Sequence, residues 1–535
     1  MIPEDGVPVG RSVHAVPDIV GIIGAAPRGR PRWGQHRTLP RLLVFVVLAL
    51  ATRAVVLGVG IVDLDEASYA TAAREMLHGR LLYADVADHK PPLVFAWYAL
   101  AQWLLGSSML SVRLLTDLTV LQLTALGLSA FFDHDRRGLL AAIAWLIYSA
   151  AFIGHDMLAV NCEVLMMLPL AWALVLLRRP QDLAGASRLL LAGLLVGIAT
   201  LFKYQACLWL PVGVVAAFCS GRDARGARMP RAIVLLGAGF AAALLAAYFA
   251  FAVRGLGQDF LYWNLLHNLD YLGATVSLAD GLKRAAVSLL PFLVVTAPLW
   301  IGVFRLRVVE TDSHRIALVL GALALSLLGV LPGLRFYPHY LVPVYVPLSL
   351  GAAPWLAVQM RRPWPRSTWL LLGWSGVMLL GFTVSTVVLY RRTDVYPETR
   401  PVFATIAREM RARACRPDGP LFVWGYAPQF YYEANLPVAS RFLFVDRTLT
   451  GHVSGGEADP RLVRSQHWDW LMADLGRNAP DFIVDAAKAR LSRWDYPIQD
   501  FPRLARFLRE DYLPVATVAG ATLWQRRACA ATSRP

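Results

Sequence analysis

Apolar residues fall in long blocks along most of this chain, separated by short polar stretches. Runs occur at 43–61, 114–132, 138–154, 158–177, 189–202, 206–220, 232–253, 285–304, 316–331, 340–358 and 368–389. A helix needs about 20 mostly apolar residues to cross the hydrocarbon of a bilayer. The pattern therefore predicts a polytopic α-helical membrane protein with about 11 spans. Two segments between the first two runs have another character. Residues 66–79 carry a helical pattern ending at Gly79, and 91–106 are apolar but short and rich in Trp and Tyr. Both are predicted to lie as helices at the membrane surface. From 390 onward strand-like runs appear at 421–424, 481–485 and 514–520, with helical patterns at 399–414 and 461–475. That alternation predicts a small C-terminal α/β domain. The organisation expected is a disordered basic tail at 1–42, a membrane domain at 43–389 and an α/β domain at 390–535.

Charge orients this scheme. The net charge is +15, with 57% hydrophobic residues and a mean hydropathy of +0.48. The Arg residues lie between apolar runs instead of gathering on one soluble face, which argues against nucleic-acid binding. With the N-terminus inside, the inside segments hold 21 Lys and Arg and the outside loops 9. That asymmetry sets the register and places the C-terminal domain outside. No short apolar run with a cleavage site opens the chain, so no removable signal peptide is expected. Cys415 and Cys529 bracket the α/β region, where a disulfide or two free thiols both fit.

Polar residues near the membrane ends all fall on the outer side of this topology. Asp63, Asp65 and Glu66 follow the first run. His89 and Lys90 precede Pro91-Pro92. His155 and Asp156 follow the third run, Lys203 follows the fifth, and Arg335, His339 and Tyr340 lie at the tenth. Charges at membrane depth are costly unless they pair or line a wet cavity. Carboxylates interleaved with cations on one face make a candidate active site. A carboxylate such as Asp65 could take a proton from an acceptor hydroxyl. Lys90, Lys203 and Arg335 could neutralise a phosphate leaving group. Each has a plainer alternative: Asp65, Glu66 and Asp156 as helix caps, the cations as interface anchors. Arg53, inside the first run, is expected to face inward and pair with an acid.

Residues 63–106, DLDEASYATAAREMLHGRLLYADVADHKPPLVFAWYALAQWLLG, resemble the first outer loop of GT-C membrane glycosyltransferases. The likeness is to the branch of aminoarabinose lipid A transferases and protein O-mannosyltransferase-like enzymes. The His155-Asp156 turn with NCEVLMMLPL behind it, GIATLFKYQA at 197–206 and RFYPHYLVPVYVPL at 335–348 extend the resemblance. WGYAPQFYYEANLPVASRF at 424–442 carries it into the C-terminal region.

The resemblance implies an inverting transfer from a polyprenyl-phosphate sugar to a lipid, glycan or protein acceptor at the outer face of a cell membrane. It implies Asp65 as catalytic carboxylate with Glu66 beside it, Asp156 as the second acidic position and Lys90 at the donor phosphate. His89, Lys203, Arg335, His339, Tyr340 and Arg53 complete the expected substrate site. A divalent metal is compatible with the carboxylates, though no ligand spacing requires one. The competing reading is a flippase for lipid-linked sugars. That reading expects charges near the bilayer midplane and repeat symmetry, and the sequence displays neither.

Overall fold

The computed structural model describes residues 38–150, 155–179, 185–219, 225–269, 276–361, 364–392, 400–445, 447–452, 459–487 and 496–532. The expected basic tail lies almost entirely outside the described residues. Leu42–Pro535 form one compact unit.

The described part of each of the eleven apolar runs falls mostly on helix. The first is α1 (Thr38–Leu57). The second run, 114–132, lies on the stretch Met109–Phe131, which is α-helical except for a π-helical turn at Asp117–Leu121. Among the described residues, four helices are long and apolar enough to cross a membrane: Leu39–Leu57, Met109–Phe131, Met229–Ala252 and Pro338–Gln359. A fifth span arises if Leu278–Val295 and Ala297–Phe304, bent by 73°, are taken together. Several others, such as Cys162–Leu177 and Ala186–Thr200, are shorter apolar helices. Many large side chains point outward from this bundle, among them Val47, Val234, Val253, Phe304 and Leu370. Such a surface is unfavourable in water and natural against lipid chains.

The first loop folds as two helices, α2 (Leu64–Leu77) and α3 (Pro92–Leu105). Asp65 and Glu66 in the first turn of α2 suit the positive end of the helix dipole. The chain leaves α2 through Gly79 at φ +87°, a left-handed conformation that glycine adopts without a Cβ clash. Pro92 starts α3 in the position where a missing N–H costs nothing. At 14 residues, α3 is about 21 Å long and shorter than a bilayer core.

The C-terminal region is a four-stranded sheet of order β1-β2-β4-β3. Strands β1 (Leu421–Trp424) and β2 (Phe482–Asp485) are parallel. Strands β3 (Tyr512–Val518) and β4 (Ala521–Arg526) form an antiparallel hairpin, and β4 pairs with β2. The strand-like run expected to end at 520 stops at Val518, and β4 lies beyond every run the sequence marks. Ala519 and Gly520, both with positive φ, turn the chain back at that point, and two such residues are what a tight hairpin turn requires. The expected helices are found at Arg400–Arg413 and Ser465–Asn478.

The apolar core of this region continues into the first loop. Tyr69, Tyr83 and Phe95 of the first loop share one apolar cluster with Trp424, Phe430 and Leu471 of the α/β region. Cys415 and Cys529 are joined in a disulfide across 114 residues. Closing a loop of that size restricts the unfolded chain. Replacing the pair by Ser is expected to lower stability by about 2–5 kcal/mol, read as a drop in thermal midpoint that reducing agent reproduces in the wild type.

Candidate active site

The site begins at the first turn of α2. Asp63 occupies the N-cap position with extended backbone and makes no side-chain cap bond. Asp65 is not a cap either. Its Oδ2 accepts from the Tyr69 hydroxyl at 3.1 Å and from the Lys90 ammonium at 3.0 Å. Tyr69 lies one helical turn beyond Asp65, so the two side chains meet on one face. Lys90 is fixed through its backbone. Its N–H donates to Asp88 Oδ1 at 3.0 Å, and its carbonyl accepts from the Tyr83 hydroxyl at 2.9 Å. Asn268 donates to the neighbouring His89 carbonyl at 2.8 Å.

A second group gathers around Asp156, in a short 3-10 turn at His155–Leu158. Asp156 Oδ2 bonds to His339 Nδ1. The other ring nitrogen of His339 lies 3.7 Å from Glu163 Oε1, and Lys203 pairs with that same carboxylate. The Lys203 ammonium sits 4.4 Å from the centre of the Tyr340 ring. Lys203 is thus buried in a pair and does not reach out to the interface.

Two residues join the groups. Asn161 donates to Asp63 Oδ2 at 3.1 Å and to the Asp156 carbonyl at 3.3 Å. Glu66, fully buried, accepts from the N–H of Val62 at 2.9 Å and of Val160 at 3.0 Å. Its charge is met by Arg113 at 2.8 Å, which also donates to the carbonyls of Val56, Val59 and Gly60. Glu66 therefore ties the segment before α2 to the segment behind Asp156, with both oxygens engaged. Breaking such a buried pair from one side costs about 3–5 kcal/mol.

The electrostatics separate the acids. Burial pushes the Asp65 carboxyl up, but the Lys90 ammonium, backed by His339 and Lys203, outweighs it and holds the group at about 2. Asp63 is pushed up to about 7 by burial, then by the charges of Asp65 and Asp156. Asp88 rises to about 6, chiefly by burial. His89 is held well below its usual range, first by burial and then by Lys90, His267, Arg447 and Arg335. His89 Nδ1 also lies 3.3 Å from Asp88 Oδ1, so the imidazole sits between a carboxylate and these cations.

Raised acids have a signature in stability. A carboxyl that goes from 3.8 unfolded to about 7 folded contributes fully below pH 4 and loses that contribution as pH rises through 7. Asp63→Asn is accordingly expected to flatten the decline in thermal midpoint between about pH 4 and 7. Asp88 leaves a residual slope. An unchanged pH profile in Asp63→Asn would contradict the assignment.

Of the expected residues, the structure brings Asp65 to Lys90, and Asp156 to His339, Lys203 and Tyr340. Arg335 is buried and His89 feels its charge. Arg53 lies elsewhere in the bundle, 3.7 Å from Asp117 and 3.4 Å from the Ser149 hydroxyl. The structure gives it the acid-pairing role, beside the π-helical turn. Asn161, Glu163, Arg113, Asp88 and Tyr69 were not singled out from sequence. Glu163 and Arg113 had a signal, a lone charge within or beside an apolar run. Among the described residues, one trio of ligand-type side chains lies within 4.8 Å: Cys415, Asp481 and Cys529. Its two sulfurs are joined to each other.

An apolar helical bundle with an ordered acid–base cluster at the end nearest an α/β region defines an integral membrane protein built around a polar site. The chain has the GT-C fold. Its structure is similar to that of ArnT from Cupriavidus metallidurans bound to undecaprenyl phosphate, with TM-score 0.56 and 17% identity over 91% of this chain and 98% of that one. The apo state of the same protein aligns with TM-score 0.55 and 17% identity, over 93% and 99%. No family model and no curated protein matches the sequence.

Proposed function

We propose that this protein transfers a sugar from a polyprenyl-phosphate donor to a lipid, glycan or protein acceptor at the outer face of the membrane, with inversion at the anomeric carbon. The observation that carries the reading is the Asp65–Lys90 pair at 3.0 Å, a carboxylate and an ammonium held together at the mouth of a helical bundle. A donor phosphate competes with Asp65 for Lys90. Once the ammonium turns to the phosphate, Asp65 is released as a half-buried carboxylate whose proton affinity rises. The acceptor hydroxyl attacks the anomeric carbon and passes its proton to Asp65. The bond from that carbon to the phosphate oxygen breaks, and the electron pair leaves with polyprenyl phosphate. Lys90, with Arg335 and the His89 environment, stabilises the developing charge. Asp156 and His339 face the site from the other side, held by Asn161 and Glu66.

Three observations support the donor class and the location. The structurally similar ArnT carries undecaprenyl phosphate. The Cys415–Cys529 disulfide fits an oxidising compartment for the α/β region. That region shares its core with the loop bearing Asp65 and Lys90, so both belong to one side. The eleven runs would then be eleven spans, with the N-terminus cytoplasmic and α2 and α3 at the outer surface. A panel of radiolabelled polyprenyl-phosphate sugars and nucleotide sugars, offered to the protein with native membrane acceptors, tests the reading. Incorporation from a polyprenyl-phosphate sugar alone is expected. Incorporation from a nucleotide sugar alone would sink it.

A further inference from the structure

Both members of the Asp65–Lys90 pair are tied to one short segment of the α/β region, Tyr431–Phe442. On the Asp65 side the tie runs through the last turn of α2. The Arg74 guanidinium donates to the Tyr431 carbonyl at 3.1 Å, to Asn435 Oδ1 at 3.1 Å and to the Leu436 carbonyl at 2.7 Å. These are acceptors at the end of the helix Gln429–Ala434, where Asn435 adopts the left-handed conformation. On the Lys90 side, the Ala87 N–H donates to the Arg441 carbonyl at 2.8 Å. Ala87 pairs there with Phe442 as an isolated parallel bridge. Asp88 follows directly and fixes the Lys90 backbone.

Arg441 is itself anchored. Asp474, buried on the helix Ser465–Asn478, accepts from the Arg441 Nε and NH2 at 2.9 Å each and from its N–H at 3.1 Å. The guanidinium lies 5.0 Å from the Trp470 ring centre. A two-pronged Arg–carboxylate pair fixes direction as well as distance.

We infer that the α/β region is part of the donor-phosphate site, with the Arg441–Asp474 pair as the positioning device that sets the Lys90 turn against Asp65. The donor aspect rests on the proposed function; the positioning aspect does not. Loss of Asp474 frees the Arg441 segment, slackens the Ala87 bridge and lets Lys90 leave Asp65, while α2 stays docked through Arg74.

The test is amine labelling of the full-length protein, with each lysine followed by mass spectrometry. The Lys90 side chain is 14% exposed and ion-paired. Lys203, 11% exposed, reports on general loosening, and Lys283, 78% exposed, on reagent activity. In Asp474→Ala and Arg441→Ala, Lys90 is expected to react several-fold faster than in wild type, with Lys203 and Lys283 unchanged. The affinity for undecaprenyl phosphate is expected to fall about tenfold, as for loss of part of a charged contact. Unchanged Lys90 labelling in both variants would overturn the inference, as would Lys90 and Lys203 rising together. If labelling shifts as expected but wild type does not bind undecaprenyl phosphate, the positioning device stands and the proposed function falls.

Discussion

Asp65→Asn binds polyprenyl phosphate at least as tightly as wild type and transfers almost no sugar. The amide has the size of the carboxylate and keeps an oxygen for the Tyr69 hydroxyl and the Lys90 ammonium, both now about 3 Å from Asp65. It cannot take up the acceptor proton. Positioned acid–base groups contribute about 10²–10⁴-fold to rate. The expected loss in kcat is therefore on the order of 10³-fold, with donor affinity equal to wild type or higher, because the amide competes less for Lys90. Single-turnover release of polyprenyl phosphate reads the first quantity and equilibrium binding the second. An Asn variant within tenfold of wild-type kcat would move the proton acceptor to another carboxylate, and Asp63 and Asp156 are the groups that face it.

Lys90→Met has the second large effect, of a different kind. Met keeps the aliphatic stem and loses the charge. A charged hydrogen bond to phosphate is worth about 1.5–3 kcal/mol, so undecaprenyl phosphate is expected to bind about 10–100-fold more weakly. The pH profile changes as well. Lys90 is the main force that holds Asp65 at about 2 against burial. Without it the Asp65 carboxyl moves up. The acid limb of kcat/KM then enters the measurable range, activity falling as pH drops, where wild type shows no limb from this group above about pH 4. Equal donor affinity and an unmoved acid limb would show that Lys90 is only an interface anchor.

The helices, and much of the site, were legible in the amino-acid pattern. Apolar runs marked the helices because lipid demands them. DLDE and HKPP stood out because charge beside a membrane segment needs a reason. The pairing of those charges was not legible. Glu66 looked like a companion to Asp65, and only the fold reveals Arg113 reaching it from the next run while two backbone N–H groups occupy its oxygens. Lys203 read as a phosphate partner or an interface anchor, because its acid Glu163 lay 40 residues away in an apolar stretch. Arg53 read as an inward-facing cation of the substrate site that could pair with an acid. Its partner Asp117, however, sits on a π-helical turn that no local pattern announces. In the α/β region, β1 and β2 were marked by their apolar runs, whereas β4 was hidden because its hairpin partner abuts it across two residues. The shared core between first loop and α/β region depends on contacts more than 300 residues apart, such as Arg74 with Asn435, and these have no local trace.

The central claim is that the Asp65–Lys90 pair serves sugar transfer from a polyprenyl phosphate. The most direct measurement is release of radiolabelled polyprenyl phosphate from a matched polyprenyl-phosphate sugar, in native membranes, by wild type and Asp65→Asn side by side. Release by wild type, dependent on acceptor and lost in the variant, is the predicted result. Binding of every donor without release from any of them, by wild type in the presence of acceptors, would contradict the claim and favour a carrier of lipid-linked sugars.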